Sequence, residues 1–227
     1  MMANLQRGLI VSCQAVKGEP LYGKNLMHHF AYAAVEGGAK GIRANYVEDI
    51  NAIMNEVSVP VIGIIKAVYE GSDVYITPTI KEVKDLLEKT NCQVIALDCT
   101  GRERPNGEKL EDLVKYIREN KPEVEIMADC SDYDDAVTAD KLGFDYIGST
   151  MRGYTEKTKG IEIPDYDFLA KLVKDFPNRK IIAEGGIWER GQLEKVCKTG
   201  VYAVVIGSSI TRPKDITKRF SEVMNLC

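Results

Sequence analysis

Short runs of Val, Ile and Leu, each closed by a polar or small residue, recur along the whole chain. They fall at 8–13, 41–44, 59–65, 94–98, 124–129, 146–149, 180–184 and 202–206. Continuous apolar runs of this length predict parallel strands buried on both faces. Between them, apolar residues return at helical spacing. The stretch 26–36 stops at Gly37-Gly38, a predicted C-cap. Stretch 80–89 sets Val83, Leu86 and Leu87 on one face, and 110–118 does the same with Leu113, Val114 and Ile117. Stretch 133–142 follows the capping residues Ser131-Asp132 and ends at Gly143. Further helices are predicted over 166–173 and 192–197, the latter ending near Gly200. Strands alternating with helices predict a parallel sheet. Eight alternations fit a closed (β/α)8 TIM barrel better than an open doubly wound sheet. No Pro/Ser linker divides the chain, so one catalytic domain over 1–227 is expected.

Composition narrows this picture. With 227 residues and 44% hydrophobic content the chain can bury a sizeable core. A net charge of −4, with both signs interleaved, argues against nucleic acid as a partner. The six cysteines form no C-x-x-C pair, and several sit inside apolar runs, which predicts buried thiols. No signal-peptide pattern or membrane-span run is present, so a cytoplasmic protein without a membrane partner is expected. The two histidines, His28 and His29, are expected to pack or face solvent. With no metal-ligand spacing, no metal is expected. No GxSxG, Walker A or GxGxxG motif occurs.

In such barrels the active site lies at the C-terminal ends of the strands. The polar residues there are Gln14, Arg43, Lys66, Asp98, Asp129, Ser149, Glu184 and Ser208. Lys66 closes the apolar run Pro60-Val61-Ile62-Gly63-Ile64-Ile65, where desolvation favours a neutral amine fit to be a base or a nucleophile. Its structural alternative is an ion pair with Asp98 or Glu184. Glu184 stands before Gly185-Gly186, placed to exchange protons or to balance Lys66. Arg43 suits a carboxylate, phosphate or sugar oxygen, or a structural salt bridge. Asp129 is favoured over Asp98 to orient a substrate hydroxyl, and Gln14 to hydrogen-bond an amide or hydroxyl. The turns Gly185-Gly186 and Gly207-Ser208 follow adjacent strands and suit a phosphate, to which Arg212 adds charge.

These pieces carry a resemblance. Leu9-Ile10-Val11-Ser12-Cys13-Gln14-Ala15, Gly41-Ile42-Arg43-Ala44, Ile62-Gly63-Ile64-Ile65-Lys66 and Tyr75-Ile76-Thr77-Pro78-Thr79 open the series. Ala96-Leu97-Asp98, Arg104-Pro105-Asn106-Gly107, Met127-Ala128-Asp129, Gly153-Tyr154-Thr155, Glu184-Gly185 and Ile210-Thr211-Arg212-Pro213 continue it. In this order they resemble, over nearly the whole chain, the N-acetylmannosamine-6-phosphate 2-epimerases of bacterial sialic-acid catabolism. The resemblance implies a TIM barrel that interconverts N-acetylmannosamine 6-phosphate and N-acetylglucosamine 6-phosphate, without a cofactor and as a homodimer. It implies Lys66 and Glu184 as the catalytic pair. Gln14, Arg43 and Asp129 would contact the sugar, and Gly185, Gly186, Gly207, Ser208 and Arg212 the phosphate end. One departure is expected to matter: this chain has Gly186 where many relatives carry Arg or Asn. A Schiff-base aldolase with Lys66 as nucleophile, or a non-catalytic sugar-phosphate-binding barrel, are the alternatives.

Overall fold

The computed structural model describes residues 4–226. Eight parallel strands pair in sequence order, and β8 returns to β1 to close a barrel. They are β1 (Gly8–Cys13), β2 (Gly41–Asn45), β3 (Val61–Ile64), β4 (Val94–Asp98), β5 (Glu125–Asp129), β6 (Tyr146–Gly148), β7 (Lys180–Glu184) and β8 (Ala203–Ile206). Around them run α1 (Met27–Glu36), α2 (Val47–Glu56), α3 (Ile80–Lys89), α4 (Leu110–Asn120), α5 (Tyr133–Lys141), α6 (Tyr166–Asp175), α7 (Arg190–Lys198), α8 (Ser208–Thr211) and α9 (Pro213–Met224). The (β/α)8 expectation holds. Periodicity had not marked α2, α8 or α9. α2 buries only Ile50 and Ile53 and carries Glu48 and Asp49 in its first turn, so its apolar stripe is thin.

Local signals explain the boundaries. Asp132 caps α5 and Thr79 caps α3, each with a reciprocal bond from the third helical residue, Asp135 and Glu82. Gly38 after α1 and Gly143 after α5 take φ of 100° and 75°, the left-handed turn that ends a helix. β3 is shorter than the run 59–65. Pro60 has no N–H to give the sheet, and residues 65–67 leave the barrel to pair antiparallel with 75–77. Ala67 N donates to Tyr75 O at 3.0 Å and Thr77 N to Ile65 O at 2.8 Å.

Side chains alternate across each strand, and this divides the core in two. Val11, Ile42, Ile95, Ala128, Ile147, Ala183 and Val204 pack in the layer shared with the helices. Ile10, Ile62, Ile64, Val94, Ala96, Met127, Tyr146, Ile182 and Val205 fill the barrel interior. At the N-terminal end, the Tyr146 hydroxyl donates to Glu125 at 2.6 Å, and Lys180 lies 4.9 Å from the Tyr146 ring centroid and 5.3 Å from that of Tyr202.

Cys13, Cys92, Cys99 and Cys130 are buried free thiols. Cys197 departs from the expectation and is exposed: Val196 takes the inward face of α7, and the next residue is turned about 100° away. Cys227 lies outside the described residues. His29 is exposed and His28 half-buried, their rings 4.0 Å apart. No helix among the described residues is long and apolar enough to cross a membrane.

Candidate active site

The interior parity of each strand, carried past the last apolar layer, delivers polar groups to the C-terminal mouth. Counting by twos from Ile10 reaches Ser12 and Gln14; from Ile62 and Ile64 it reaches Lys66; from Ile182 it reaches Glu184. These residues line a cavity of about 550 Å³, within the roughly 300–1,000 Å³ usual for small-molecule sites. Arg43, Gly185, Gly186, Gly207, Ser208 and Arg212 line it too.

Arg43 is the hub of one wall. It is 1% exposed and grips Asp129 with both terminal nitrogens, Nη1 to Oδ1 at 2.9 Å and Nη2 to Oδ2 at 2.6 Å. Nη1 also donates to Glu184 Oε2 at 2.8 Å. Burial alone would lower the pKa of this guanidinium, but Asp129 and Glu184 outweigh it and push the pKa up. Its Nε remains buried without a partner. Asp129 is fully buried and does not line the cavity, so it sits behind Arg43. Glu184 is pushed above the usual carboxylate range by burial, against the pull of Arg43, with Asp129 adding to the rise.

Lys66 lies across the cavity. Its backbone N–H donates to Asn45 Oδ1 at 2.9 Å, and it bridges Ile76 in the short antiparallel pair beyond β3. Burial lowers its pKa to about 8, helped by the cations Arg43 and Arg212 and opposed by Glu184 and Asp129. Neither of the alternative ion pairs forms among the described residues: Asp98 pairs with Arg102 at 2.6 Å and Glu184 with Arg43.

The remaining candidates spread out. Gln14 donates Nε2 to Ser12 Oγ at 2.8 Å and leaves Oε1 buried and unpartnered. Asp98 turns to Thr100 and Arg102, outside the cavity lining. Ser149 is off the interior parity, and its hydroxyl clasps the Glu184 backbone, Glu184 N donating to Oγ and Oγ to Glu184 O, each at 3.0 Å. Arg212 contacts Glu19 Oε1 at 3.2 Å and donates to Ser208 Oγ at 3.5 Å.

The two glycine turns differ in why they need glycine. Gly186 has φ 74°, and a Cβ there would collide with the backbone carbonyl of Ile163. Gly207 has an ordinary φ, but its Cβ would press on Ser12 Cβ at 3.2 Å. The space a longer residue would use at 186 is thus filled by the loop between β6 and α6.

Sequence reading missed Thr150, Tyr75, Tyr154 and Trp188, which also line the cavity. Thr150 was available from parity, two residues beyond Gly148. The three aromatics stand on loops where no periodicity marks them.

A closed barrel whose mouth sets a lysine of lowered pKa opposite a half-buried carboxyl, beside glycine turns, is laid out as an enzyme that moves protons on a small polar molecule. A sequence profile of the family described as "Putative N-acetylmannosamine-6-phosphate epimerase" matches residues 27–226. The chain belongs to the N-acetylmannosamine-6-phosphate epimerase family. A relative from Staphylococcus carnosus (strain TM300), named "Putative N-acetylmannosamine-6-phosphate 2-epimerase", is 56% identical over 217 residues, covering 95% of this chain and 96% of its own. One of the same name from Clostridioides difficile (strain 630) is 49% identical over 226 residues, covering 100% of both chains. Among solved structures, the N-acetylmannosamine-6-phosphate 2-epimerase from Clostridium perfringens is similar with a TM-score of 0.91 and 44% identity, over 96% of this chain and 94% of that one. Thiamine phosphate pyrophosphorylase from Pyrococcus furiosus, 16% identical with a TM-score of 0.61, shares the fold alone.

Proposed function

We propose that this chain interconverts N-acetylmannosamine 6-phosphate and N-acetylglucosamine 6-phosphate by removing and returning the proton at C2, as a single-domain enzyme of sialic-acid and amino-sugar catabolism. Family membership supports the substrate and reaction over the aldolase and binding-protein alternatives. The observation that carries the mechanism is the Lys66 amine with a pKa near 8, facing the Arg43-held Glu184 across one cavity.

The C2 hydrogen of a 2-acetamido sugar is weakly acidic until C1 is an open-chain aldehyde. Glu184, ionised at the start, takes the proton of the anomeric hydroxyl and passes it to the ring oxygen as C1=O1 forms and the C1–O5 bond breaks. Neutral Lys66 then takes the C2 proton, and the C–H electrons move into an enolate whose charge rests on O1. Arg43 helps hold that charge with the donors it does not spend on Asp129 and Glu184. Gln14 Oε1, unpartnered in the protein, accepts from the acetamide N–H. Protonation on the opposite face inverts the centre, delivered by a neighbouring acid, or by the ammonium of Lys66 once the open-chain enolate has turned its other face to it. Asp129 serves the sugar through Arg43. Gly185, Gly207, Ser208 and Arg212 anchor the phosphate, the end that does not react.

A cytoplasmic homodimer is the assembly that fits. α9 is amphipathic, yet none of its residues is buried, and Phe220 and Met224 stand 72% and 71% exposed. A second copy covering that face would bury them.

Lys66→Ala is expected to bind substrate but to lose about 10²–10⁴-fold in kcat and to stop exchanging the C2 hydrogen with deuterated water. Wild-type exchange in that variant removes Lys66 from the mechanism. Borohydride with substrate should trap no imine on the native enzyme; a reducible adduct at Lys66 would mark an aldolase.

A further inference from the structure

Thr150 follows β6 and turns its hydroxyl toward both carboxylates of the Arg43 cluster. Its Oγ1 lies 2.6 Å from Asp129 Oδ1 and 3.1 Å from Glu184 Oε2. Arg43 Nη1 binds the same two oxygens, at 2.9 and 2.8 Å. The two donors differ in capacity: Nη1 carries a proton for each acceptor, whereas the hydroxyl carries a single proton for both. A shared hydroxyl proton goes to whichever carboxylate holds more charge.

We propose, on the reading of Glu184 as a proton-exchanging group, that Thr150 is a positioning residue whose hydroxyl donates to Glu184 while that carboxyl is ionised and turns to Asp129 once it is neutral. Asp129 can release the hydroxyl because Arg43 keeps both of its oxygens bonded. Glu184 Oε1 makes no side-chain hydrogen bond among the described residues and is the oxygen left for substrate. No proton passes through Thr150; its O–H bond rotates, supporting Glu184 Oε2 while that carboxyl is ionised and Asp129 Oδ1 once it is neutral. The charged and titratable groups around Glu184 are Arg43 from β2, Lys66 and Tyr75 from the pair beyond β3, Asp129 from β5 and Arg212 after α8. Of these only Asp129 shares the hydroxyl with Glu184.

The test uses the full-length protein, N-acetylmannosamine 6-phosphate as substrate, and pH profiles of kcat/KM for the native enzyme, Thr150→Val, Thr150→Ser and Glu184→Gln. Neutral Lys66 and ionised Glu184 give the acid limb two breaks, the upper near 8. Thr150→Val should lower kcat by about tenfold with KM within about threefold. It should also raise the lower break by about half a pH unit or more while the upper break stays in place. Thr150→Ser should restore both. Thermal melts confirm folding, and Thr150→Ala carries the same expectation should the valine variant fail to fold. A lower break that does not move, or a serine variant that does not restore it, overturns the proposal while an inactive Glu184→Gln leaves the reading of Glu184 standing. A fully active Glu184→Gln overturns both.

Discussion

The two sides of the barrel mouth are built from different materials. Around β2, β6 and β7 the wall is side chain: Arg43, Thr150 and Glu184, backed by Asp129 from β5, are locked by bonds of 2.6–3.1 Å. Beyond β7 and β8 the wall is backbone: Gly185, Gly186, Gly207 and the first turn of α8, with Arg212 the cation beside them. A charged cluster can change protonation and so take part in a reaction. A glycine turn presents fixed dipoles and holds an anion without changing state. Substitutions on the first side should therefore disturb turnover or folding, and those on the second should disturb affinity.

The sharpest break of this contrast is Arg43→Ala. It strands the buried Asp129 carboxylate beside the half-buried Glu184, and loss of a buried ion-pair partner costs about 3–5 kcal/mol. In a chain of this size that is a fall in Tm of roughly 10 °C. Without Arg43 the Glu184 carboxyl, already raised by burial, loses the charge that holds it down and rises further above its unfolded value, so the folded state binds more protons and stability falls as pH rises. Melts at pH 5 and pH 8 check this; a variant more stable at pH 8 would mean that Arg43 was not compensating those charges.

Arg212→Ala probes the other side and is expected to have a smaller effect. KM should rise roughly 10–100-fold with kcat nearly unchanged, as for a lost charged hydrogen bond felt equally in ground and transition states. Arg212 also helps depress the Lys66 pKa, so its removal should carry the upper break of the pH profile above 8. A fall in kcat at constant KM would move Arg212 to the reacting side. The smallest effect needs no substitution. Below its pKa of about 8, Lys66 is protonated and cannot accept the C2 proton. Native kcat/KM should therefore climb roughly tenfold between pH 7 and 9. The substrate phosphate titrates near pH 6 and does not set this step. A flat profile through that range would deny Lys66 its role as a base.

The same contrast decides what could be read from the sequence. β1, β4 and β7 match their apolar runs residue for residue, because strands buried on both faces announce themselves in Val and Ile. Lys66 and Glu184 were visible because a charge ending such a run must be desolvated. Thr150 was overlooked in favour of Ser149 by one residue, and one residue turns a side chain to the opposite face. The grip of Arg43 on Asp129 joins β2 to β5 across the barrel, a contact that no local pattern encodes. α9 was missed because it buries none of its residues, so no core-facing stripe marks it as the strands and inner helices are marked. Glycines flagged the anchoring turns, but not that Gly186 is dictated by the loop above it.

That loop constrains how the chain can change over generations. The Ile163 carbonyl and any side chain at position 186 would claim one volume. A lineage moving from glycine to asparagine or arginine there must alter the β6–α6 loop first, since the reverse order passes through a protein whose loop cannot seat. Variation at 186 alone should return glycine, and variation at both positions together should open the alternatives. Two positions more than twenty residues apart are thus coupled by one shared volume.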